Sequence, residues 1–281
     1  KNRCFILVCL LGLASAPAYS FEESRSAYAE RKPISKLSFD SLPEAASLEE
    51  VQHAFRMVRD TRMFEDAKHQ GMMRRVPWLF PIDGCFVRAD LGSNILDTLP
   101  ELKGKYGKVW AFGGELGARN RWTILAGAFS WAYHVAIVMK HAGQVYVLDP
   151  AFDVGGPMKF DDWQVRFVWT PEKTLWSLCS SHTYGPNQDC FAEQDASPDT
   201  PIVDGGSATG ETVAQLRQMY LNAEWDVLER MRFDPRPLLG ESPPWGWTSL
   251  APGAWRRINL EPAFLIRTGE MKTLNQPGAK W

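Results

Sequence analysis

Three residues that could act as a nucleophile, a base and an acid occur in the order Cys85, His134 and Asp149. Cys85 directly follows Asp83 and Gly84, and an apolar helical pattern begins at the cysteine. Unpaired N–H groups and partial positive charge at a helix N-terminus favour a thiolate over a thiol and can stabilise an oxyanion. The position therefore predicts a nucleophilic cysteine, with Asp83 or Gly84 as the N-cap of its helix.

Two predicted strands connect the histidine with the aspartate. One apolar strand begins near His134, the next ends at Asp149, and a tight turn around residues 141–143 joins them. A turn centred between positions 141 and 142 places His134 directly opposite Asp149, with Cβ atoms about 5 Å apart. That spacing suits the imidazole–carboxylate hydrogen bond of a catalytic triad. A three-residue turn would put the two side chains on opposite faces, and Asp153 is then the alternative acid.

The residues around these positions resemble the bacterial protein-glutaminases. Residues 80–89 read F-P-I-D-G-C-F-V-R-A and resemble the signature P-x-D-G-C-aromatic-x-R-A of that family. Further matches follow in the same order, namely W-A-Y-H-V-A at 131–136, Asp149-Pro150, and Gly156-Pro157 with Trp163. The resemblance covers about residues 45–170, and the D-G-C and Y-H-V-A pieces together make it specific.

The resemblance implies a fold and an activity. The fold is the α+β transglutaminase-like (papain-like) one, in which the nucleophile helix packs on an antiparallel sheet, and the mixed helix and strand pattern also predicts an α+β layer fold. Cys85 is the implied nucleophile, His134 the general base and acid, and Asp149 the group that orients the histidine. The implied reaction is hydrolysis of the side-chain amide of protein- or peptide-bound glutamine through a Cys thioester, with no metal or organic cofactor.

Two other functions fit parts of the pattern. A transglutaminase or a cysteine peptidase would use the same triad and differ in the acceptor or in the bond that is cleaved. A non-enzymatic exported binding protein with a vestigial triad is the second alternative. An unreactive Cys85 would favour it, because a triad thiolate alkylates readily.

Four aromatic residues flank the triad in sequence and are candidates for lining a cleft that binds an extended peptide. They are Trp78, Phe80, Trp131 and Tyr133. Packing in the core is the alternative for each of them, because aromatic side chains also dominate protein interiors.

Cys179 and Cys190 lie in a polar segment of the chain, and we predict a disulfide between them. Together with His182 they would supply three metal ligands, one fewer than a closed structural zinc site needs. No metal site is therefore predicted.

The first twenty residues have the three parts of a secretory signal peptide. Lys1 and Arg3 precede an apolar run from Cys4 to Ala14, and small residues of an A-x-A type follow. The run is shorter than the roughly 20 apolar residues that span a bilayer. We therefore expect residues 1–20 to be removed and the product to be secreted or periplasmic, without stable membrane insertion; a buried N-terminal helix is the alternative.

The rest of the chain divides into three predicted parts. Residues 21–43 are polar and form a linker or a short pro-segment, 44–176 form the catalytic core, and 177–281 form a C-terminal extension packed on the core. The extension is loop-like at 177–210, and 211–232 form a helix. Because the formal net charge is −2, no basic excess indicates a nucleic-acid partner. We expect a monomer that acts on protein or peptide substrates bearing glutamine.

Overall fold

The folded elements lie in the parts of the chain that a computed structural model describes, which are residues 25–62, 64–66, 69–78, 83–118, 129–153, 155–193, 213–230 and 235–239. The predicted signal peptide and Phe80 lie outside these ranges. In chain order the elements are β1 (Lys32–Pro33), α1 (Leu48–Asp60), β2 (Phe64–Glu65), β3 (Met73–Arg74), α2 (Cys85–Asp97), β4 (Gly107–Ala118), β5 (Phe129–His141), β6 (Gln144–Leu148), β7 (Met158–Lys159), α3 (Phe160–Gln164), β8 (Leu175–Ser180), α4 (Val213–Arg230) and α5 (Pro235–Leu239).

A six-stranded antiparallel sheet with the order β1-β8-β4-β5-β6-β7 forms the centre of the structure. Helices α1 and α2 pack on one face, where Val135 and Ile137 of β5 join the core around them. The opposite face carries a second core with the aromatic residues of α3, Phe160 and Trp163. The predicted fold class, a nucleophile helix packed on an antiparallel sheet, is therefore confirmed.

The spacing of Ser47 and Glu50 predicts a capping box and a helix that runs to about Lys68; α1 begins at that box but ends at Asp60. The Ser47 hydroxyl accepts a hydrogen bond from the Glu50 N–H at 3.2 Å, as the sequence spacing indicates. The helix ends at Asp60, followed by the short β2–β3 hairpin. Thr61 is already extended, and further along the chain the Asp66 carboxylate accepts a hydrogen bond from the N–H of His69 at 3.0 Å, a local turn that competes with helix.

The N-terminal residues 25–43 are part of the folded domain. Ala27 is fully buried, and its N–H donates to the Gln188 carbonyl at 3.1 Å. Strand β1 pairs with β8 at the edge of the sheet. The linker interpretation is thus wrong for these residues, because their backbone hydrogen bonds go to the domain itself; the pro-segment alternative stays a prediction.

Strand β8 crosses the predicted boundary between residues 176 and 177. It lies between β1 and β4 in the sheet, so residues 177–180 belong to the core and the prediction of a loop there is wrong. The alternation of apolar residues is obscured because Ser177, although polar, is fully buried in this central strand. The disulfide Cys179–Cys190 confirms the predicted pair and removes both sulfurs from the alternative zinc site.

Within the predicted C-terminal extension, α4 packs on the core through buried Leu216, Tyr220, Leu221 and Trp225. Among the helices in the described ranges, none combines the length and apolar character needed to cross a membrane. Within the same ranges, no group of three or more His, Cys, Asp and Glu side chains is placed to hold a metal ion.

Candidate active site

Helix α2 begins at the predicted nucleophile. Its N-cap is Gly84, whose φ of 73° lies in the left-handed region that glycine tolerates best. The N–H of Gly84 donates to Asp83 Oδ1 at 2.6 Å, which fixes the approach of the chain to the helix. Since the first N–H groups of a helix have no partner within it, the N–H of Cys85 can donate to an oxyanion.

The Cys85 side chain lies where strand β6 ends and β5 continues. The β5–β6 pairs run from His141↔Gln144 to Ile137↔Leu148, so β6 leaves the sheet before it reaches Val135. Alternate residues of an antiparallel pair direct their N–H groups to the neighbouring strand. In this register Val135 directs its N–H to the side that β6 has left, and its backbone hydrogen-bonds the sulfur of Cys85.

The Cys85 thiol is buried and neutral in this arrangement. It is 7% exposed, and burial raises its pKa to about 12. Arg88 and the hydrogen bond from the Val135 backbone lower this pKa, whereas the charges of Asp83 and Asp149 raise it. The loss of solvation thus outweighs the favourable effect of the helix terminus on the pKa of the thiol.

The alkylation rate of Cys85 by iodoacetamide should therefore rise steeply with pH. A thiol with a pKa of about 12 is ionised to about one part in 10⁵ near neutral pH, and this fraction grows tenfold per pH unit. We expect the rate to increase about tenfold per unit between about pH 7 and 10, measured by mass spectrometry of the Cys85 peptide. A plateau reached near neutral pH would contradict the buried, neutral thiol.

His134 and Asp149 form the predicted hydrogen bond. His134 Nε2 lies 2.9 Å from Asp149 Oδ2, and both side chains are buried. The other ring nitrogen, Nδ1 of His134, is buried and has no hydrogen-bond partner in the structure. It is the nitrogen at which a proton can be exchanged.

The register that brings this pair together differs from the predicted one by two residues. Ala142 and Gly143 both have positive φ, as a two-residue type I′ turn requires, and they pair His141 with Gln144. Continuing this register puts Asp149 opposite Ala136, so the prediction of direct opposition is wrong. An even shift keeps both side chains on the same face, and the contact with His134 is diagonal.

Trp163 holds the same carboxylate and was predicted only as a family match without a role. Its Nε1–H donates to Asp149 Oδ2 at 3.1 Å, and the Ala151 N–H donates to Oδ1 at 3.2 Å. Because these donors fix the carboxylate, they also fix the imidazole that it orients. We therefore regard Trp163 as a positioning residue.

Aromatic rings enclose the imidazole of His134. The ring centroids of Phe167, Trp131, Phe152 and Trp163 lie 4.9, 5.2, 5.3 and 5.6 Å from that of the imidazole. Such an environment excludes water from the His134–Asp149 hydrogen bond and strengthens it.

Cys85 and Asp149 come together at the end of β6, whereas the His134 imidazole lies on the other face of β5, among Phe152, Trp163 and Phe167 of the second core. Asp149 and Cys85 line the same narrow cavity, together with Trp78 and Arg88. Val135, whose backbone bonds the sulfur, is the neighbour of His134 in the chain. The thiol and the imidazole themselves are not hydrogen-bonded to each other in the structure, since Nδ1 has no partner.

The aromatic residues predicted to line a peptide cleft occupy different places. Trp78 is buried beside the cavity, and its Nε1–H donates to the Val58 carbonyl at 3.3 Å. Trp131 is half-buried and stacks on the imidazole of His134. Tyr133 is half-buried on the opposite face of β5, where it packs against the core. Their contacts with a substrate stay predictions.

A comparison with protein-family models covers the site. Residues 51–167 match a protein-family model described as glutaminase, and this range contains Cys85, His134 and Asp149. This segment matches the glutaminase family. The glutaminase segment, residues 51–167, thus contains α2, the hairpin of β5 and β6, and Trp163.

Solved structures similar to this chain include three of protein-glutaminases. The NMR structure of protein-glutaminase from Chryseobacterium proteolyticum is 20% identical, with a TM-score of 0.39, over 55% of this chain and 82% of that one. A crystal structure of protein-glutaminase is 18% identical, with a TM-score of 0.38, over 72% and 94%. A crystal structure of pro-protein-glutaminase is 19% identical, with a TM-score of 0.40, over 57% of each chain. No curated protein sequence matches.

Proposed function

We propose that the glutaminase segment hydrolyses the side-chain amide of protein- or peptide-bound glutamine to glutamate and ammonia. The observation that carries the proposal is the position of Cys85 at the N-terminus of α2, in one cavity with Asp149, whose carboxylate is hydrogen-bonded to His134, within the matched range. The resemblance of D-G-C-F-V-R-A at 83–89 to the protein-glutaminase signature favours an amide in a protein or peptide.

The first half of the proposed reaction forms a thioester. The Cys85 thiol gives its proton to Nδ1 of His134, and the sulfur attacks the amide carbon of the glutamine side chain. The N–H of Cys85 donates to the oxyanion that develops. His134 then gives the proton to the departing nitrogen, and ammonia leaves as the carbon–nitrogen bond breaks.

The second half hydrolyses the thioester. A water molecule attacks the acyl carbon while Nδ1 of His134 takes its proton. The carbon–sulfur bond breaks, glutamate is released in the substrate chain, and the proton returns to the sulfur of Cys85. Asp149 keeps its hydrogen bond to the imidazole and stabilises the imidazolium that forms in each half. The proposed steps use no metal or organic cofactor.

The products separate this reaction from those of a transglutaminase or a peptidase. With a glutamine-rich protein such as casein, we expect ammonia and a mass gain of roughly one dalton for each amide that becomes an acid. Joined chains would instead indicate transfer to an amine, and shortened chains would indicate peptide-bond cleavage. Ammonia release without any mass gain in the protein would contradict the proposal.

A Trp163→Phe variant should lower kcat for ammonia release about tenfold with little change in KM, because it removes one hydrogen bond to a charged carboxylate. Trp176→Phe is the matched control, since Trp176 is another buried tryptophan in contact with Trp163. Steady-state kinetics with a glutamine peptide measure both variants. Equal losses in the two would mean that Trp163 only fills space.

We also propose that the protein acts outside the cytoplasm, as a monomer, on protein or peptide chains. The disulfide Cys179–Cys190 supports export, because such bonds persist in oxidising compartments. The same compartment offers protein substrates.

A further inference from the structure

Helix α4 lies directly on the N-terminus of the nucleophile helix. A Cβ atom added to Gly84 would be 2.9 Å from three atoms of the Tyr220 ring, so the ring rests on the backbone beside Cys85. The Tyr220 hydroxyl is hydrogen-bonded to Asp83, and its ring makes an edge contact with Phe86. Tyr220 thus contacts the residues on both sides of the nucleophile.

Buried charges hold α4 in this position. The Glu224 carboxylate accepts hydrogen bonds from Arg74 at 2.9 Å and from Arg75 at 3.0 Å, and all three side chains are fully buried. Arg74 also donates to the carbonyl of Leu221 at 3.1 Å. These residues attach the core-facing side of α4, called its inner face, to β3 and to Arg75, the residue that follows β3.

Two further contacts extend this inner face to both sides of Tyr220. Arg217 Nη2 lies 2.9 Å from Asp90 Oδ2 of α2. Trp225 stacks on His69 with ring centroids 3.6 Å apart. Positions 217, 220, 224 and 225 recur at helical spacing, so a single face of α4 makes all of these contacts.

An amide that reacts with Cys85 has to reach the sulfur where the free N–H groups of α2 can bind the oxyanion. Tyr220 occupies this approach, and the thiol is only 7% exposed. We infer that α4 is an autoinhibitory cover, and that the glutaminase site opens when α4 leaves the N-terminus of α2. A docking surface built on buried ion pairs suits a reversible cover, because desolvation offsets much of their attraction.

The test measures access to Cys85 and does not depend on the proposed function. Iodoacetamide is reacted with the full chain under native conditions, and the rate at Cys85 is read from its peptide by mass spectrometry. Tyr220→Ala should raise this rate at least tenfold. Met219→Ala is the matched control on the same helix, because Met219 is exposed, and its rate should equal that of the wild type.

A second control separates opening of α4 from general loss of stability. Val145→Ala removes buried methyl groups from the core on the other face of the sheet, so it destabilises the fold away from α4. Its Cys85 alkylation rate should stay at the wild-type value under native conditions. Equal rates in the wild type and a folded Tyr220→Ala, or an equal rise in Val145→Ala, would overturn the cover.

Activity supplies an additional measurement that rests on the proposed function. If both proposals hold, Tyr220→Ala should also raise kcat/KM for ammonia release from a short glutamine peptide. Faster alkylation with no ammonia release from any variant would keep the cover and contradict the glutaminase reaction. Ammonia release at the same rate in the wild type and Tyr220→Ala, with unchanged alkylation, would contradict the cover alone.

Discussion

A His134→Gln variant should release ammonia from a glutamine peptide at least about 10³-fold more slowly than the wild type, with little change in KM. The loss is large because the same imidazole takes the proton of the thiol and gives it to the departing nitrogen. The thiol cannot replace this base by ionising alone, since burial raises its pKa to about 12. Steady-state kinetics at neutral pH measure the effect.

The pH dependence of this variant gives an independent check. Without the base, turnover should rise with pH as the fraction of Cys85 thiolate grows below its raised pKa. His53→Gln is the matched control, because His53 lies on the outer side of α1 and its side chain is 39% exposed. Wild-type turnover in His134→Gln, or an equal loss in His53→Gln, would remove His134 from the reaction.

An Asp149→Asn variant should lower kcat by about 10³–10⁴-fold, as in other triads whose acid becomes an amide. The carboxylate accepts from Nε2–H and so leaves Nδ1 of His134 free to act as the base. An amide nitrogen at this position would donate to Nε2 and place the proton on Nδ1, which is the wrong tautomer. The N–H of Trp163 would also lose its charged acceptor.

Asp153→Asn is the control that decides between the two candidate acids. Asp153 is also buried, but its Oδ1 accepts from the Gly155 N–H at 2.8 Å and its carboxylate pairs with Arg166. We expect this variant to keep kcat within a few fold. A large loss in Asp153→Asn together with normal turnover in Asp149→Asn would reverse the assignment.

Features that depend on local spacing could be predicted from the sequence. The Gly84 N-cap, the start of α2 at Cys85 and the capping box of α1 follow from adjacent residues. The contact between His134 and Asp149 was also predictable, although its register was not. Only the parity of the register had to be right, because a shift of two residues leaves both side chains on one face.

Features that depend on distant parts of the chain could not be predicted. The place of β8 in the sheet is set by its pairing with β1 and β4, and the polar residues around it conceal the strand pattern. The raised pKa of Cys85 has the same origin, because the thiol is buried and the Tyr220 ring of α4 lies against its neighbour Gly84. A helix terminus is visible in a sequence, whereas the residue that covers it is not.

The most direct test of the account compares ammonia release by the wild type and by Cys85→Ala on the same glutamine-containing protein. Alanine keeps the helix start and removes only the sulfur, so the variant should stay folded and bind substrate. We predict that ammonia release and the mass gain of the substrate both disappear in Cys85→Ala. Ammonia release that continued in folded Cys85→Ala at a rate near that of the wild type would contradict a thioester on Cys85.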